Sequence, residues 1–392
     1  MGNNTMRFLR LSAWMMLAVM LSGCSGCSDK AAERDRKQMR KAIAFRNGDL
    51  SGKTEKESPD VRETCIRSFF SESLHYTGEG MRYWYEGKGG FKEITGIPYA
   101  DLDCKNCHIQ SCDTCHAGMK GEKHFFSEAI AKDMNTCLPC HGREALAFKL
   151  DEKNGTPDVH IRAGMVCSDC HYRSDVHGDG RFRESMRHTK GVRATCEECH
   201  VEQERESPLF DPESESHRLH METLNCSACH VQSSVSCYNC HFDNFVKTGK
   251  RKGNFLPMKD WVLLINHEGK VTSGNVQTLT YRNRKFVAYA PYFTHSISAK
   301  GRACADCHRN EAVQMIENGE KVPVVRFENG SLQTWKGVVP VMKGKLEWVF
   351  LDKSEKGWET IPDKSPPLEQ YVGFGTPLTD EQFDLLATDV SE

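Results

Sequence analysis

The spacing of apolar residues predicts a helix near the beginning of the folded part of the chain. Pro59 fits the first helical position, and Val61, Cys65 and Phe69 then recur on one face. Gly78 follows this stretch, and glycine is common just beyond a helix end. We therefore expect a helix that begins near Pro59 and ends before Gly78.

Three runs rich in β-branched and aromatic residues predict a small antiparallel β element. The runs lie at residues 261–265, 276–281 and 285–289, between positions occupied by Gly and Asn. Residues 266–269 separate the first two runs and have the composition of a hairpin turn. We expect this element to be an insert of about residues 255–290.

The last part of the chain contains further β-like runs, at residues 338–342 and 346–351. Near the end, Thr379 is followed three residues later by Gln382, which fits a capping box before a short helix. These features indicate a structural role for this part of the chain rather than a catalytic one. We expect residues 311–392 to form a satellite segment that packs over the rest of the fold.

The first residues are typical of an export signal. Arg7 and Arg10 precede an apolar run at 11–21 that is short for a membrane span. Residues 21–24 resemble a bacterial lipobox, so we expect a signal peptide at 1–23 and a lipid anchor at Cys24, on a bacterial membrane facing the periplasm or the cell exterior. An uncleaved membrane anchor is the alternative. Residues 24–58 are charged and poor in large apolar side chains, as in a flexible tether.

Composition limits the classes of protein that the chain can belong to. It has 52 basic and 54 acidic side chains, so no excess of positive charge indicates a nucleic-acid partner. Hydrophobic residues make up 38% of the chain, which is low for a core made of side chains alone. The chain also contains 19 cysteines, whose spacing therefore has to be explained.

All but three of these cysteines belong to eight copies of the pattern Cys-x-x-Cys-His. Two thiols one helical turn apart can bond the two vinyl groups of one haem, while the imidazole of the next residue binds its iron. Zinc knuckles or disulfides are the alternative, but neither requires a histidine after every pair. We therefore expect eight covalently attached c-type haems. Their attachment residues are Cys104, Cys107 and His108; Cys112, Cys115 and His116; Cys137, Cys140 and His141; Cys167, Cys170 and His171; Cys196, Cys199 and His200; Cys226, Cys229 and His230; Cys237, Cys240 and His241; and Cys304, Cys307 and His308.

Nine further histidines can supply the second axial ligand of these irons, and eight would complete bis-histidine coordination. His267 lies in the predicted hairpin turn, so we expect it to stay unligated. His217 and His220 share one face of a helix and are expected to serve neighbouring irons, unless one of them is a bystander. The expected iron ligands besides the motif histidines are His75, His124, His160, His177, His188, His217, His220 and His295.

Haem surfaces supply the apolar interior that the side chains lack. We therefore expect a mainly α fold, a multihaem cytochrome c fold whose long loops wrap around a packed haem array at residues 59–310, with a small β insert and a haem-free C-terminal segment. The motifs at Cys104 and Cys112 are nearly adjacent, as are those at Cys226 and Cys237. Their haems are expected to lie close together.

The number and order of the motifs resemble a multihaem family that contains octahaem tetrathionate reductase, octahaem hydroxylamine oxidoreductase and pentahaem nitrite reductase. The chain looks most like the tetrathionate reductases because of Cys65 and of residues 158–160, 177–180 and 292–295. The resemblance covers roughly residues 60–310. It implies a mainly α-helical fold and one haem that reduces tetrathionate, nitrite or hydroxylamine.

The same resemblance implies catalytic residues at the second motif. Its iron would take a lysine amine, for which Lys149 and Lys153 are the candidates, and Cys65 would lie beside it. Ligation needs a neutral amine, so the lysine pKa would have to fall from about 10.4. A disulfide between Cys65 and Cys27 is the alternative use of that thiol.

Two functions therefore compete. One is a reductase of a small inorganic sulfur or nitrogen compound, and the other is a membrane-anchored electron conduit in which all haems are six-coordinate. A haem-loaded scaffold lipoprotein is a third alternative. For the first two, redox partner proteins or quinol-linked electron donors are the expected partners.

Overall fold

The structure is a computed structural model that describes residues 69–102, 109–187, 192, 194–201, 210–248, 255–354, 357–363 and 365–390. The expected signal peptide, the anchor at Cys24, the tether, Cys27, Cys65, the first motif and His188 lie outside these residues. Those expectations and the domain boundaries stay predictions. Within the ranges described, no helix is both long and apolar enough to cross a membrane.

Short helices form much of the N-terminal half. One helix has 13 residues and the others have four to eight, so most consist of one or two turns. In chain order the helices are α1 (Leu74–Thr77), α2 (Glu79–Glu86), α3 (Lys92–Thr95), α4 (Asp113–His116), α5 (Glu128–Lys132), α6 (Met134–Cys137), α7 (Gly142–Asn154), α8 (Val159–Arg162), α9 (Cys167–Cys170), α10 (Arg173–His177), α11 (Cys196–His200), α12 (Glu215–His220), α13 (Cys226–His230), α14 (Phe242–Thr248), α15 (Cys304–Cys307), α16 (Glu311–Glu317) and α17 (Asp380–Ala387). Several of these helices are themselves motif segments.

The expected N-terminal helix is interrupted. A 3-10 turn covers Phe70–Glu72, and Ser73 then adopts an extended conformation, with its hydroxyl accepting a hydrogen bond from the Tyr76 amide. Serine competes with helix continuation in this way because its side chain can cap the next turn. The end before Gly78 is confirmed, since α1 ends at Thr77 and Gly78 has a φ of 67°.

Strands form most of the C-terminal half. In chain order they are β1 (Ala117–Lys120), β2 (Lys123–Phe126), β3 (Ser234–His241), β4 (Phe255–Met258), β5 (Trp261–His267), β6 (Lys270–Tyr281), β7 (Arg284–Pro291), β8 (Val322–Glu328), β9 (Ser331–Thr334), β10 (Gly337–Pro340), β11 (Leu346–Trp348), β12 (Leu351–Ser354), β13 (Gly357–Thr360), β14 (Leu368–Tyr371) and β15 (Gly375–Thr376). The largest sheet has eight strands and runs β10-β5-β6-β3-β4, with β7 on β6, β14 on β7 and β15 on β5.

The predicted β insert is confirmed as the centre of this sheet. Strands β5, β6 and β7 are antiparallel neighbours in sequence order. The β5–β6 turn places Glu268 and Gly269 at φ values of 53° and 90°, which is the left-handed backbone that a tight hairpin needs. The predicted capping box is also confirmed, because the Thr379 hydroxyl accepts from the Gln382 amide at the start of α17.

The C-terminal segment shares the sheet and its core with the insert. Strand β10 pairs in parallel with β5, and β14 pairs in parallel with β7. Buried side chains from the sheet, such as Trp261, pack with Val339 and Phe350 from the C-terminal segment and with Val313 from α16. This is the main side-chain core of the described structure.

The expectation of a mainly α fold is wrong. The described residues are about 35% helical and 27% strand, with several sheets, so the fold is mixed α/β. The error arose because the insert strands and the β-like runs of the C-terminal segment were treated as separate small elements, whereas strands from the seventh motif and from the C-terminal segment pair with the insert. Parallel pairing between distant segments leaves little local signal, since the partners are far apart in sequence.

One hydrogen bond tests the docking of the C-terminal segment on the insert. The indole nitrogen of Trp348 donates to the Tyr289 hydroxyl at 2.7 Å, and both side chains are buried. We expect Trp348→Phe to destabilise the fold by about 1–3 kcal/mol, because the tyrosine hydroxyl loses its partner inside the core. Trp358→Phe, at a side chain that is 43% exposed, should change stability by less than about 0.5 kcal/mol. Unfolding midpoints at one scan rate compare the two, and equal midpoints would show that the contact does not hold the segment.

Candidate functional site

A continuous cavity of about 3860 Å³ lies against the large sheet. Ordinary ligand pockets measure about 300–1,000 Å³, so this space exceeds a single small-molecule site several-fold. Motif cysteines and histidines dominate its wall. Twelve histidines line it: His75, His116, His141, His160, His171, His177, His200, His217, His220, His230, His267 and His295.

Six pairs of imidazole rings face one another at closely similar separations. Each ring-to-ring contact between histidines in the described structure joins one motif histidine to one histidine outside the motifs. The pairs, with their centroid separations, are His116 and His177 at 6.0 Å, His141 and His75 at 6.1 Å, His171 and His295 at 6.1 Å, His200 and His160 at 6.1 Å, His230 and His217 at 6.2 Å, and His308 and His220 at 6.3 Å.

These separations match the space that one metal ion needs between two imidazoles. Imidazole nitrogen binds a metal such as zinc at about 2.0–2.1 Å, and each ring nitrogen lies about 1.1 Å from its ring centre, which puts two collinear rings about 6.3 Å apart. Aromatic pairs that cannot share a metal cover a wider range, since His116 and Phe126 lie at 4.3 Å and Phe70 and His177 at 6.0 Å. The paired histidines therefore have the spacing of axial ligands.

The second nitrogen of several of these rings is held by an oxygen acceptor. The Nδ1 atoms of His217, His220 and His230 lie 2.6–2.8 Å from backbone carbonyl oxygens of Asp211, Ser216 and Ser298. Carboxylates take this role elsewhere: Nδ1 of His160 is 3.3 Å from Asp158, and Nδ1 of His171 is 3.9 Å from Asp175. Metal-binding histidines are commonly fixed in this way, because a held Nδ1–H leaves Nε2 as the free electron pair.

Burial favours the neutral form of several paired rings, which is the form that binds metals. It lowers the pKa of His177 to about 4, with a further contribution from His116. Burial followed by repulsion from the opposite ring also lowers the pKa of His75, His171 and His200. A pair of adjacent imidazoles would otherwise repel each other once protonated.

The six pairs form a row, and all of their histidines except His308 line the cavity. His75 interacts electrostatically with His177, and His141 with His171, which joins the second, third and fourth motifs. The Tyr172 hydroxyl donates to Glu198, linking the fourth motif to the fifth. His200 is coupled to His230 in the sixth motif.

The eighth motif completes the row. Cys307 and Cys229 interact electrostatically, which places the eighth motif beside the sixth. The order in space is therefore second, third, fourth, fifth, sixth and eighth, and it largely follows the order along the chain.

Thiols of neighbouring motifs also meet. The thiols of Cys137 and Cys167 are hydrogen-bonded to each other, and so are those of Cys196 and Cys226. Together with a carboxylate oxygen of Glu197, the Cys196 and Cys226 sulfurs lie within 4.8 Å of one another and could hold a metal ion. Zinc is the metal that such a thiol-rich group would favour.

The seventh motif differs from the others. It lies on β3, where the pairing register shifts between Cys237 and Cys240. The described structure has no histidine ring opposite His241; its aromatic neighbour is Trp358, at 5.8 Å between ring centres. Indole nitrogen is a hydrogen-bond donor and offers no electron pair to a metal.

The predicted lysine ligands lie away from the cavity. Lys149 and Lys153 are both exposed on α7, neither lines the cavity wall, and His177 faces His116 at the second motif. His124 is exposed on β2 and has no histidine ring opposite it within the described part of the chain. His267 lines the cavity, likewise without such a partner among the described histidines.

Sequence reasoning missed the acidic residues that lie 3.9–4.0 Å from two of the paired histidines. A carboxylate follows His171 by four residues, at Asp175, and His141 by three, at Glu144, so helical spacing could have revealed both. No spacing or motif in the sequence pointed to Trp358, or to Arg187, a residue of the cavity wall. No family model, curated protein or solved structure matches this chain.

A buried carboxyl group behind the cavity makes stability depend on pH. Asp151 is 1% exposed, and Ser296 donates to it at 2.8 Å. Burial, and to a lesser extent the nearby Asp158, raises the pKa of Asp151 to about 6. The folded state thus retains a proton that the unfolded chain loses near pH 4, so this group costs stability as pH rises from about 4 to 6.

We expect Asp151→Asn to remove this cost while keeping an acceptor for Ser296. Relative to the wild type, the variant should gain stability between about pH 4 and 6, by roughly 1–3 kcal/mol, and the gain should stay constant above that range. Unfolding midpoints measured from pH 4 to 8 show the trend. Asp133→Asn, at an exposed helix cap, is the control, and a pH-independent difference for Asp151→Asn would contradict the assignment.

Proposed function

We propose that this chain is a multihaem c-type cytochrome that carries electrons along a row of bis-histidine sites. The observation that carries the proposal is the set of six ring pairs, each joining a motif histidine to a histidine outside the motifs at 6.0–6.3 Å. When bound, haem supplies reversible one-electron chemistry at its iron. The residues of this chain would attach it through paired thiols and hold its iron through paired imidazoles.

The fit of these residues to haem is supported by three independent features. The cavity is large and continuous, Nδ1 of His217, His220 and His230 lies at hydrogen-bond distance from a backbone carbonyl oxygen, and burial favours the neutral imidazole of His177. The resemblance of the motifs to octahaem tetrathionate reductases points in the same direction. Export and a lipid anchor at Cys24, with a redox partner protein or a quinol-linked donor, are part of the same proposal.

Zinc binding by the motif cysteines explains less of the site. It accounts for the group of Cys196, Glu197 and Cys226. It gives no reason for a second histidine opposite six different motifs. Intact mass separates the two, because covalent haem adds its mass irreversibly for each of the eight motifs, whereas zinc is lost on denaturation.

The pairing at the second motif is the sharpest test of bis-histidine coordination. We expect His177→Ala to convert one haem in eight from low spin to high spin, because the ring opposite His116 is removed. Electron paramagnetic resonance of the purified ferric protein measures the change.

Lys149→Met and His124→Ala serve as matched controls, since both side chains are exposed and outside the cavity wall. We expect each control to keep every haem in its wild-type state. A spectral change in Lys149→Met with none in His177→Ala would instead support the lysine-ligated site that the family resemblance implies.

A reductase is the second candidate function, and the seventh motif favours it. An iron bound by His241 would have Trp358 as its aromatic neighbour in the described structure, with no second imidazole. A small inorganic sulfur or nitrogen compound could take the remaining position. Asp352, with a carboxylate oxygen 3.8 Å from Nδ1 of His241, would orient the histidine.

We expect the wild-type protein to contain one high-spin haem that binds cyanide. Trp358→His should make that haem low spin and abolish cyanide binding, because the new imidazole can occupy the sixth position. Trp335→His, at a partly buried side chain on the sheet core, is the control and should leave cyanide binding intact. Eight low-spin haems in the wild type, none of which binds cyanide, would exclude the reductase and leave the electron conduit as the only candidate function.

A further inference from the structure

Arg187 is a cation in the cavity wall without an anionic partner. Its guanidinium carbon lies 4.2 Å from the centre of the Phe293 ring, and its Nε atom is buried without a hydrogen-bond acceptor. No carboxylate of the described chain forms an ion pair with it. The backbone at Arg187 is held in place, because its amide donates to the hydroxyl of buried Ser185.

His267 supplies a second unpaired polar atom in the same wall. Its Nε2 is buried without a partner among the described residues, and its ring faces no other histidine there. It ends β5, where the backbone pairs with Lys270 on β6 and Gly375 on β15. Pairing on both sides makes this a rigid position.

Charged side chains of both signs lie near this part of the wall, because Glu268 acts on His267 more strongly than Arg187 does. Burial and then the nearby Arg187 lower the pKa of His267, so the two side chains are close enough to interact, whereas Glu268 acts in the opposite direction. Lys270 lines the same cavity and donates to the Met221 carbonyl oxygen. Burial lowers the pKa of Arg187 to about 10, which still leaves it charged at neutral pH.

We propose that Arg187 and His267 form a binding site for a carboxylate or a small inorganic oxyanion. A guanidinium presents its donors in a planar fork that matches two oxygens of such an anion. The Phe293 ring under the guanidinium holds its plane in place. An anion in the cavity would neutralise the Arg187 cation.

The anion could come from either of two sources. One is a propionate of a haem, which rests on the proposed function, and the other is a free oxyanion entering from solvent. A propionate would be permanently bound and would exclude added anions. A free oxyanion would exchange and could be titrated.

The test uses the full-length purified protein and sodium sulfate, an oxyanion that does not ligate haem iron strongly. Isothermal titration calorimetry measures sulfate binding to the wild type, Arg187→Gln, Arg187→Lys and His267→Gln. Arg326→Gln is the matched control, because Arg326 is exposed on β8 and does not line the cavity. Redox titration of the same proteins follows the haem midpoint potentials.

For a free anion, we expect one sulfate per chain in the wild type and in Arg326→Gln, at least tenfold weaker binding in Arg187→Gln and a smaller loss in Arg187→Lys. For a propionate, we expect no sulfate binding to the wild type, but a more negative midpoint potential of one haem in Arg187→Gln. Wild-type behaviour of Arg187→Gln in both measurements, with an unchanged melting temperature, would overturn the site. Sulfate binding by a protein whose mass shows no haem would keep the site and reject the proposed function.

Discussion

The burial of paired imidazoles in one cavity is the constraint on which the rest of the structure depends. His177 lies beside His116, and burial lowers the pKa of His177 so that its ring is neutral at pH 7. Most of the described motifs contribute only about one turn of backbone, so the chain must bring a second histidine to them from elsewhere. Short helices joined by loops meet this need better than long helices would, because each turn can be oriented separately.

The large sheet gives this loop-rich half a rigid support. The Asn225 amide donates to the Val271 carbonyl on β6, and the Val271 amide donates to the Thr223 carbonyl. Two backbone hydrogen bonds thus join the segment before the sixth motif to the sheet. A bridge between Val231 and Ile297 joins the end of the same motif to the segment that precedes the eighth. The main side-chain core thus lies within the sheet and the C-terminal segment, while the cavity half is joined to the sheet by backbone bonds and by smaller apolar clusters, such as Tyr85 and Ile94 with Phe286.

The seventh motif shows how secondary structure changes what a motif can do. Residues three apart on a helix lie on one face, whereas side chains alternate between the two faces of a strand. In β3 the register shift and the left-handed backbone of Asn239, with a φ of 51°, interrupt that alternation. Its histidine lies beside Trp358 and Asp352 from the C-terminal half, and no histidine ring of the described residues lies opposite it.

The sequence alone determined the motif cysteines and histidines, the three insert strands and their hairpin, and the capping box at Thr379, because each depends on residues close together in the chain. Only the tertiary structure decided which histidine faces which motif, and it set His177 rather than a lysine opposite His116. It also decided the α/β class, since β10 and β14 join the sheet by parallel pairing with distant strands. Such pairings are selected by the burial of side chains from several segments at once, which no local pattern records.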